Sequence, residues 1–171
     1  LKRFVAERPP EGGVRRIKFV PPTGKRVAVI GSGPAGLTAA YYLARLRGHA
    51  VTVFEALPET GGMMRYGIPE YRLPRKPLDA EIDLGRQSGV DIKTSARVES
   101  LDELFAQGYD AVVVALGAHR GTKLGVEGED SPGVVDGAAF LRDASLGKQV
   151  NVGDRVAVVG EKNAKRPGAT P

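Results

Sequence analysis

The sequence predicts an α/β fold built on a doubly wound parallel sheet. Short apolar runs alternate with helical patterns along most of the chain. Three glycines separate the first apolar run, residues 27–30, from the first helical pattern, as they do where a strand turns directly into a helix. The chain has 171 residues, 42% of them apolar, which suffices for one ordinary domain with a buried core.

Residues 27–55 predict a strand, a helix and a second strand. The run 27–30 is short and apolar, as buried strands are, and Pro34 suits the first turn of a helix that runs to about Arg47. Gly48 is expected to cap that helix, because glycine adopts the left-handed conformation at little cost. The segment "AVTVFE" then alternates β-branched and aromatic residues as a strand does.

The alternation continues after a loop rich in glycine and proline, residues 58–77. The expected elements are, in chain order, a helix in 78–89, a strand in 90–94, a short helix in 101–107, a strand in 109–117, a small helix in 137–143 and a strand in 155–159. The second of these strands, "YDAVVVALG", is a nearly continuous apolar run, which is typical of a parallel strand covered on both faces.

Composition divides the chain into three parts. Residues 1–24 contain four prolines and a Gly-Gly pair and predict an extended basic arm or linker. Residues 25–150 predict one nucleotide-binding domain. Residues 151–171 begin like a second such domain with "GDRVAVVG", but "EKNAKRPGATP" follows where another glycine turn belongs. Because Glu161 and Pro167 oppose a phosphate-binding helix there, we expect this second domain to be truncated and its tail atypical.

The charge distribution argues against nucleic acid as a partner. Residues 1–26 carry eight basic and two acidic side chains, and residues 160–171 carry three and one. The 14 basic and 17 acidic side chains between them leave no basic excess in the body of the chain. The basic residues are also not interleaved with a row of stacking aromatic residues. We therefore expect the two ends to be solvated or to face a partner.

Composition also excludes several kinds of site. The absence of cysteine excludes disulfides, thiol nucleophiles and an Fe–S cluster held by this chain's own thiolates. The chain has only two histidines, so a metal site is not expected either. No apolar run approaches the roughly 20 residues of a membrane span, and no signal-peptide pattern opens the chain. We therefore expect a cytoplasmic protein that makes no membrane contact.

Gly31, Gly33 and Gly36 fit the pattern G-x-G-x-x-G between a strand and a helix. Gly31 is expected to permit the tight turn, Gly33 to let backbone amides approach a pyrophosphate, and Gly36 to let the helix pack against the strand. The start of the helix supplies free N–H groups and a partial positive charge. Packing alone also produces glycine-rich turns, but here the strand, the helix, its cap and a terminal acid all accompany the pattern, which favours a dinucleotide site.

Glu55 ends the second strand 19 residues after Gly36, where a carboxylate can accept hydrogen bonds from the adenosine ribose hydroxyls. A 2′-phosphate beside this carboxylate is a like-charge contact, which disfavours NADP at this position. FAD and NAD remain. The loop "ETGGMMRYGIPEYRLP", residues 59–74, favours FAD, because Gly61 and Gly62 allow close backbone approach to the ribityl chain and flavin beyond the pyrophosphate.

Residues 1–160 resemble the flavin-binding half of the glutamate synthase small subunit, and the related domains of dihydropyrimidine dehydrogenase and of ferredoxin-coupled NADPH oxidoreductases. The resemblance rests on "GSGPAG", "VTVFE", "GGMMRYGIPEYRLP", "YDAVVVALGA" and the lead-in "LKRFVAE" with "PPTGKRVAVIG". It implies a Rossmann-like FAD-binding domain. The positions that match the family's FAD contacts are the pyrophosphate turn Gly33, Pro34, Ala35 and Gly36, the ribose acid Glu55, the ribityl and flavin segment Gly62 and Met63, the basic Arg72, Val98 beside the adenine, and Gly117. Leu116 departs from the threonine that many such flavoproteins carry before that last glycine.

The resemblance also implies a function. In the family, hydride passes from NAD(P)H to FAD and electrons leave through Fe–S clusters, so the expected partners are an Fe–S-containing domain or subunit and a large catalytic subunit. Because the flavin performs the redox step, no catalytic residue is expected in this chain. We therefore expect the FAD-binding portion of an NAD(P)H-dependent oxidoreductase similar to the glutamate synthase small subunit, incomplete for turnover alone. Two alternatives remain, an NAD-binding dehydrogenase domain and a non-catalytic Rossmann interaction module.

Overall fold

The computed structural model describes residues 20–159. The predicted basic arm, residues 1–24, and the predicted second domain, residues 151–171, fall only partly within this range. Glu161 and Pro167 lie outside the described residues. The division of the chain into three parts therefore stays a prediction.

Within residues 20–159, four parallel strands form the sheet, in the spatial order β3-β2-β1-β4. They are β1 (Arg26–Ile30), β2 (Ala50–Phe54), β3 (Asp91–Lys93) and β4 (Ala111–Val114). The chain runs outward from β1 to β3 and then returns to the other side of β1. The carboxyl ends of β1 and β4 therefore flank the point where the strand order reverses, which is where doubly wound folds bind ligands. The predicted parallel α/β sheet is confirmed.

Five helices lie within residues 20–159. They are α1 (Pro34–Arg47), α2 (Met63–Tyr66), α3 (Arg75–Gln87), α4 (Leu101–Ala106) and α5 (Gly137–Ser145). Both predicted ends of α1 are confirmed, since Gly48 has φ 68° and caps the helix. Helix α3 begins before the predicted residue 78, and Pro77 lies in its first turn, where a missing N–H breaks no helical hydrogen bond. Across this described range, no helix combines the length and apolar composition that a membrane crossing requires.

The sheet buries apolar side chains on both faces, because successive residues of a strand point to opposite sides. One face carries α1, and its cluster contains Val27, Val29, Ala40, Val51, Val53 and Val90. The opposite face carries α4, and its cluster contains Ala28, Ile30, Phe54, Leu104 and Tyr109. These two layers hold the ends of β1 and β2 rigidly, and the candidate site begins at those ends.

One expectation about the later strands is wrong. Residues 155–159 form no strand, and Val158 is 93% exposed, because no other described strand pairs with them. Strand β4 is covered in part on both faces, since Val112 packs against the cluster with Ile30 and Val113 against the cluster with Val29. It lies at the edge of the described sheet, and its last residue, Val114, is 58% exposed.

Asp110 joins the start of β1 to the start of β4. Its carboxylate accepts hydrogen bonds from the Lys25 ammonium and the Arg26 amide, both at 2.8 Å. The hydrogen bond from Lys25 is the main cause that holds the pKa of Asp110 below its usual 3.8. Because the folded-state pKa is the lower one, this contribution to stability is present above the unfolded-state pKa and is lost as the pH falls through the folded-state pKa.

We expect Asp110→Asn to remove this part of the acid dependence. The free energy of unfolding, measured with urea, should fall more steeply in the wild type than in the variant below about pH 4. The two proteins should therefore differ most near neutral pH and converge in acid. The exposed Asp154→Asn is the control. Parallel pH profiles for the wild type and Asp110→Asn would contradict the prediction.

Candidate nucleotide-binding site

The predicted glycine turn follows β1 and begins α1. Gly31 has φ +104°, and a Cβ on this residue would lie 2.3 Å from the carbonyl oxygen of Ala115. A Cβ on Gly36 would lie 1.9 Å from the carbonyl oxygen of Gly31. The packing of the chain against itself therefore requires glycine at both positions. This geometry agrees with a tight turn at Gly31 and close helix packing at Gly36.

Gly33 differs from the other two glycines. Its backbone angles, φ −72° and ψ −178°, are extended values that any residue adopts. Among the described residues, and apart from its two chain neighbours, the nearest heavy atom to a Cβ built on Gly33 would be the Cα of Gly62, at 4.0 Å. Neither the backbone conformation nor the packing of the described residues therefore requires glycine here. The space beside Gly33 is free for a bound group.

The start of α1 presents amides that have no backbone partner. Leu37 makes the first hydrogen bond of the helix, donating to the Gly33 carbonyl at 3.0 Å. Within residues 20–159, the amides of Gly33, Ala35 and Gly36 donate to no backbone carbonyl. Pro34, exposed at the first helical position, has no N–H to offer. Free amides at the start of a 14-residue helix form an anion-binding arrangement.

Glu55 lies buried after β2, with 7% of its surface exposed. Its Oε2 accepts hydrogen bonds from the Ser32 amide at 2.9 Å and the Ser32 hydroxyl at 2.5 Å. Its Oε1 accepts one from the Leu57 amide at 2.9 Å. Because a carboxylate offers about four lone-pair positions, one position on Oε1 stays free among the described contacts. Ser32 therefore ties the predicted ribose acid to the glycine turn, a contact that sequence reasoning missed because Ser32 is an unspecified position of the motif.

The second glycine pair lies directly against the first turn. Gly61 and Gly62 are buried and have φ +120° and +54°. The Gly61 amide donates to the Ser32 carbonyl at 3.0 Å. A Cβ on Gly62 would lie 2.7 Å from the Cα of Gly33. The structure thus brings Gly33 and Gly62 together, although 28 residues separate them in the sequence.

Two side chains of α2, those of Arg65 and Tyr66, contact the segment that precedes the Gly61–Gly62 pair. The side chain of Arg65 is only 8% exposed and is ion-paired with Glu59 and Asp79. The Tyr66 hydroxyl accepts a hydrogen bond from the Glu59 amide at 2.9 Å, and burial raises the pKa of Tyr66 above 10.0. The sequence alone does not indicate the burial of Arg65, because no local pattern distinguishes it from the exposed Arg72.

The other predicted contact residues of this loop, Met63 and Arg72, lie at the margin of the site formed by the glycine turn, Glu55 and the second glycine pair. Met63 is half-buried, with its Cε against Gly67. Arg72 is exposed, and its amide donates to the Pro69 carbonyl within the same turn.

Val98 and Gly117 belong to two further segments near the ends of the strands. Val98 packs against the cluster that contains Ile30 and Phe54. Within residues 20–159, the backbone N–H and C=O of Val98 make no backbone hydrogen bond, so both are free to meet a ligand. Gly117 is exposed at φ +69°, two residues after the carbonyl of Ala115 that contacts Gly31. In the same part of the chain, no three His, Asp or Glu side chains are grouped as a metal ion would need.

Comparison with known proteins identifies the family to which this geometry belongs. Residues 25–161 match the pyridine nucleotide-disulphide oxidoreductase family. The chain belongs to this family. The matched range begins just before β1 and includes the glycine turn, Glu55 and the second glycine pair.

Relatives within this family carry several names. The chain is 49% identical over 82% of its length to the NADP(+)-dependent formate dehydrogenase subunit beta of Moorella thermoacetica, and covers 20% of that protein. It is 48% identical over 84% of its length to the NADPH-Fe(3+) oxidoreductase subunit beta of Geobacter sulfurreducens, covering 22% of it. It is 42% identical over 78% of its length to the glutamate synthase [NADPH] small chain of Mycobacterium tuberculosis, covering 27% of it. The predicted resemblance to the glutamate synthase small subunit is confirmed.

Solved structures agree with the fold. FprA of Mycobacterium tuberculosis in complex with NADPH superposes with a TM-score of 0.63 at 26% identity, over 70% of this chain and 28% of that one. A 2-naphthoyl-CoA reductase in complex with 2-naphthoyl-CoA superposes with a TM-score of 0.60 at 28% identity, over 81% of this chain and 20% of that one. The chain spans between a fifth and just over a quarter of the length of these curated relatives.

Proposed function

We propose that this chain is the FAD-binding portion of an NAD(P)H-dependent oxidoreductase that resembles the glutamate synthase small subunit. The single observation that carries the proposal is the free space beside Gly33, bordered by three amides without backbone partners. An anionic group with two phosphates suits this space, since it accepts hydrogen bonds from several amides at once. The predicted domain, residues 25–150, contains all of these groups.

The residues present fit FAD at both ends of its diphosphate. The amides of Gly33, Ala35 and Gly36 would hold the pyrophosphate, and the free lone pair on Glu55 Oε1 would accept a ribose hydroxyl. The free backbone groups of Val98 would face the adenine. Gly62 lies beside Gly33, so its segment would lie along the ribityl chain toward the flavin.

Further contacts follow from the family match. Met63 and Gly117 would border the flavin side of the site. The exposed Arg72 would need to turn toward the cofactor to contact it. When bound, FAD would supply the hydride and electron transfer, while the protein binds and orients it.

The names of the relatives support the proposal that this chain acts together with partner subunits. The Moorella and Geobacter proteins are named as beta subunits, and the Mycobacterium protein as a small chain. We propose that NAD(P)H is the electron donor of the complete enzyme, and that electrons leave through an Fe–S-containing domain or subunit toward a large catalytic subunit. Because this chain has no cysteine, those clusters would take their thiolate ligands from other residues than these 171.

Gly33→Ala tests the proposal. A methyl group on Gly33 would enter the space for the pyrophosphate and displace charge-assisted hydrogen bonds, so the affinity for FAD should fall at least about tenfold. The thermal midpoint should stay unchanged or rise slightly, because the backbone angles suit alanine. FAD affinity is measured by calorimetric titration of the full chain, and thermal stability by circular dichroism.

Gly85→Ala is the matched control. Gly85 lies in α3 with no heavy atom within 4 Å of a built Cβ, so this variant should bind FAD like the wild type. Parallel titrations with ADP and NADH complete the design. Wild-type binding of NADH without FAD would replace the proposal by an NAD-binding dehydrogenase domain. A wild type that binds none of the three would favour a non-catalytic interaction module.

A further inference from the structure

Arg65 is the most completely engaged side chain next to the candidate site. Its Nε donates to the Thr60 carbonyl at 2.5 Å, one terminal nitrogen pairs with Glu59 at 2.8 Å, and the other pairs with Asp79 of α3. The guanidinium is thus buried with partners on two elements, the loop before Gly61 and the helix α3. Buried arginine is rare unless its nitrogens have partners, and each of the three nitrogens of Arg65 has one here.

Stability alone does not account for this arrangement. The side chains of Glu59 and Asp79 are 63% and 50% exposed, so water screens their attraction to Arg65. Burial of the guanidinium is itself costly, which makes such ion pairs weak evidence for a stabilising role. These contacts instead fix the position of the residues that Arg65 binds, because the rigid planar fork of arginine directs donors from three nitrogens at once.

The position that they fix is that of the second glycine pair. Gly61 and Gly62 have positive φ and many accessible conformations, so their geometry depends on support from outside the pair. Arg65 donates to the Thr60 carbonyl and the Gly61 amide donates to Ser32, so these two contacts hold both polar groups of the Thr60–Gly61 peptide that leads into the pair. The next residue, Gly62, lies directly against Gly33.

We propose that Arg65 is a positioning residue that pre-forms the Gly61–Gly62 segment for the flavin half of the cofactor. This inference rests on the proposed function. The adenosine diphosphate half should depend on the first glycine turn and Glu55, which Arg65 does not touch. Arg65 should therefore affect the affinity for FAD much more than the affinity for ADP, because only FAD extends along the pre-formed segment.

Arg65→Met and Arg65→Lys in the full chain test this inference by calorimetric titration with FAD and with ADP. We expect Arg65→Met to weaken FAD binding about tenfold or more while ADP affinity stays within about twofold. Arg65→Lys keeps the charge but has one donor nitrogen instead of a planar fork of three, so its FAD affinity should lie between those of the wild type and Arg65→Met. Arg86→Met, on the exposed face of α3 and paired only with Asp83 among the described contacts, is the control and should bind both ligands like the wild type.

Three outcomes would overturn the inference. FAD affinity in Arg65→Met equal to that of the wild type would do so, as would equal losses of FAD and ADP affinity in a folded variant, which indicate a purely structural role. A wild type that binds neither ligand would overturn the proposed function and this inference with it, whereas the first two outcomes leave the proposed function intact. If Arg65→Met does not fold, Tyr66→Phe, which removes the hydroxyl that accepts the Glu59 amide, must show the same selective loss of FAD affinity.

Discussion

Replacement of Gly31 by alanine is expected to lower the free energy of unfolding by about 2–6 kcal/mol, from backbone strain and overpacking together. Alanine is strained at φ +104°, and its Cβ would lie 2.3 Å from the carbonyl oxygen of Ala115. Relief of that contact requires the chain after β1 and the chain after β4 to separate at the carboxyl ends of these two paired strands. Urea unfolding followed by circular dichroism measures the loss.

A second glycine separates the two causes. Gly125 also has positive φ, +72°, but a Cβ built on it meets no heavy atom within 4 Å. Gly125→Ala should therefore show the conformational cost alone, about 1–2 kcal/mol. If Gly31→Ala proved no more destabilising than Gly125→Ala, the close approach of Ala115 to the glycine turn would be refuted.

Glu55→Gln is expected to cost about 2–3 kcal/mol of folding free energy, because the amide NH₂ must face a buried donor. Ser32 donates twice to one oxygen of Glu55 and Leu57 donates to the other, so neither orientation of glutamine satisfies all three donors. The variant should also bind FAD more weakly, because the proposed ribose acceptor is changed. Unfolding free energies and FAD affinities are measured on the same preparations.

Controls for this variant come from the surface and from the partner residue. Glu99→Gln removes an exposed carboxylate that pairs with Arg97 at 3.4 Å, and it should change the stability by less than about 1 kcal/mol. Ser32→Ala removes the hydroxyl, which donates to Glu55 and also accepts a longer hydrogen bond from the Gly61 amide at 3.3 Å. A double-mutant cycle of Ser32→Ala with Glu55→Gln should show a coupling of at least about 0.5 kcal/mol. Strict additivity would mean that the Ser32 hydroxyl does not act through Glu55.

The order of the elements was predictable because it depends on local patterns. The strand before the glycine turn, the start of α1 at Pro34 and its cap at Gly48 all follow from preferences of single residues and short periods. Strand pairing was less predictable. The apolar runs at 109–117 and 155–159 look alike in sequence, yet only the first finds a neighbour in the described sheet. An apolar run indicates that its burial would be favourable. Whether it is buried in a sheet depends on pairing with a neighbouring strand.

The candidate site was predictable in its parts but not in its connections. The motif identifies Gly31, Gly33 and Gly36 together, whereas the structure assigns two of them to internal packing and leaves space only beside Gly33. Arg65 and Arg72 are equivalent in a charge count. In the fold one is buried in ion pairs and the other is exposed. Side-chain environment depends on residues distant in sequence, which a local pattern does not contain.

By itself, the sequence determined the α/β class, the position of the nucleotide turn and the resemblance to a flavin-binding family, since each depends on residues close together along the chain. Only the tertiary structure decided that Ser32 joins Glu55 to the turn, that Gly62 lies against Gly33 and that Arg65 supports the second glycine pair. The physical reason is that hydrogen bonds and steric contacts act between atoms a few ångströms apart. Folding alone sets which residues, here 23 or 29 positions apart, come within that distance.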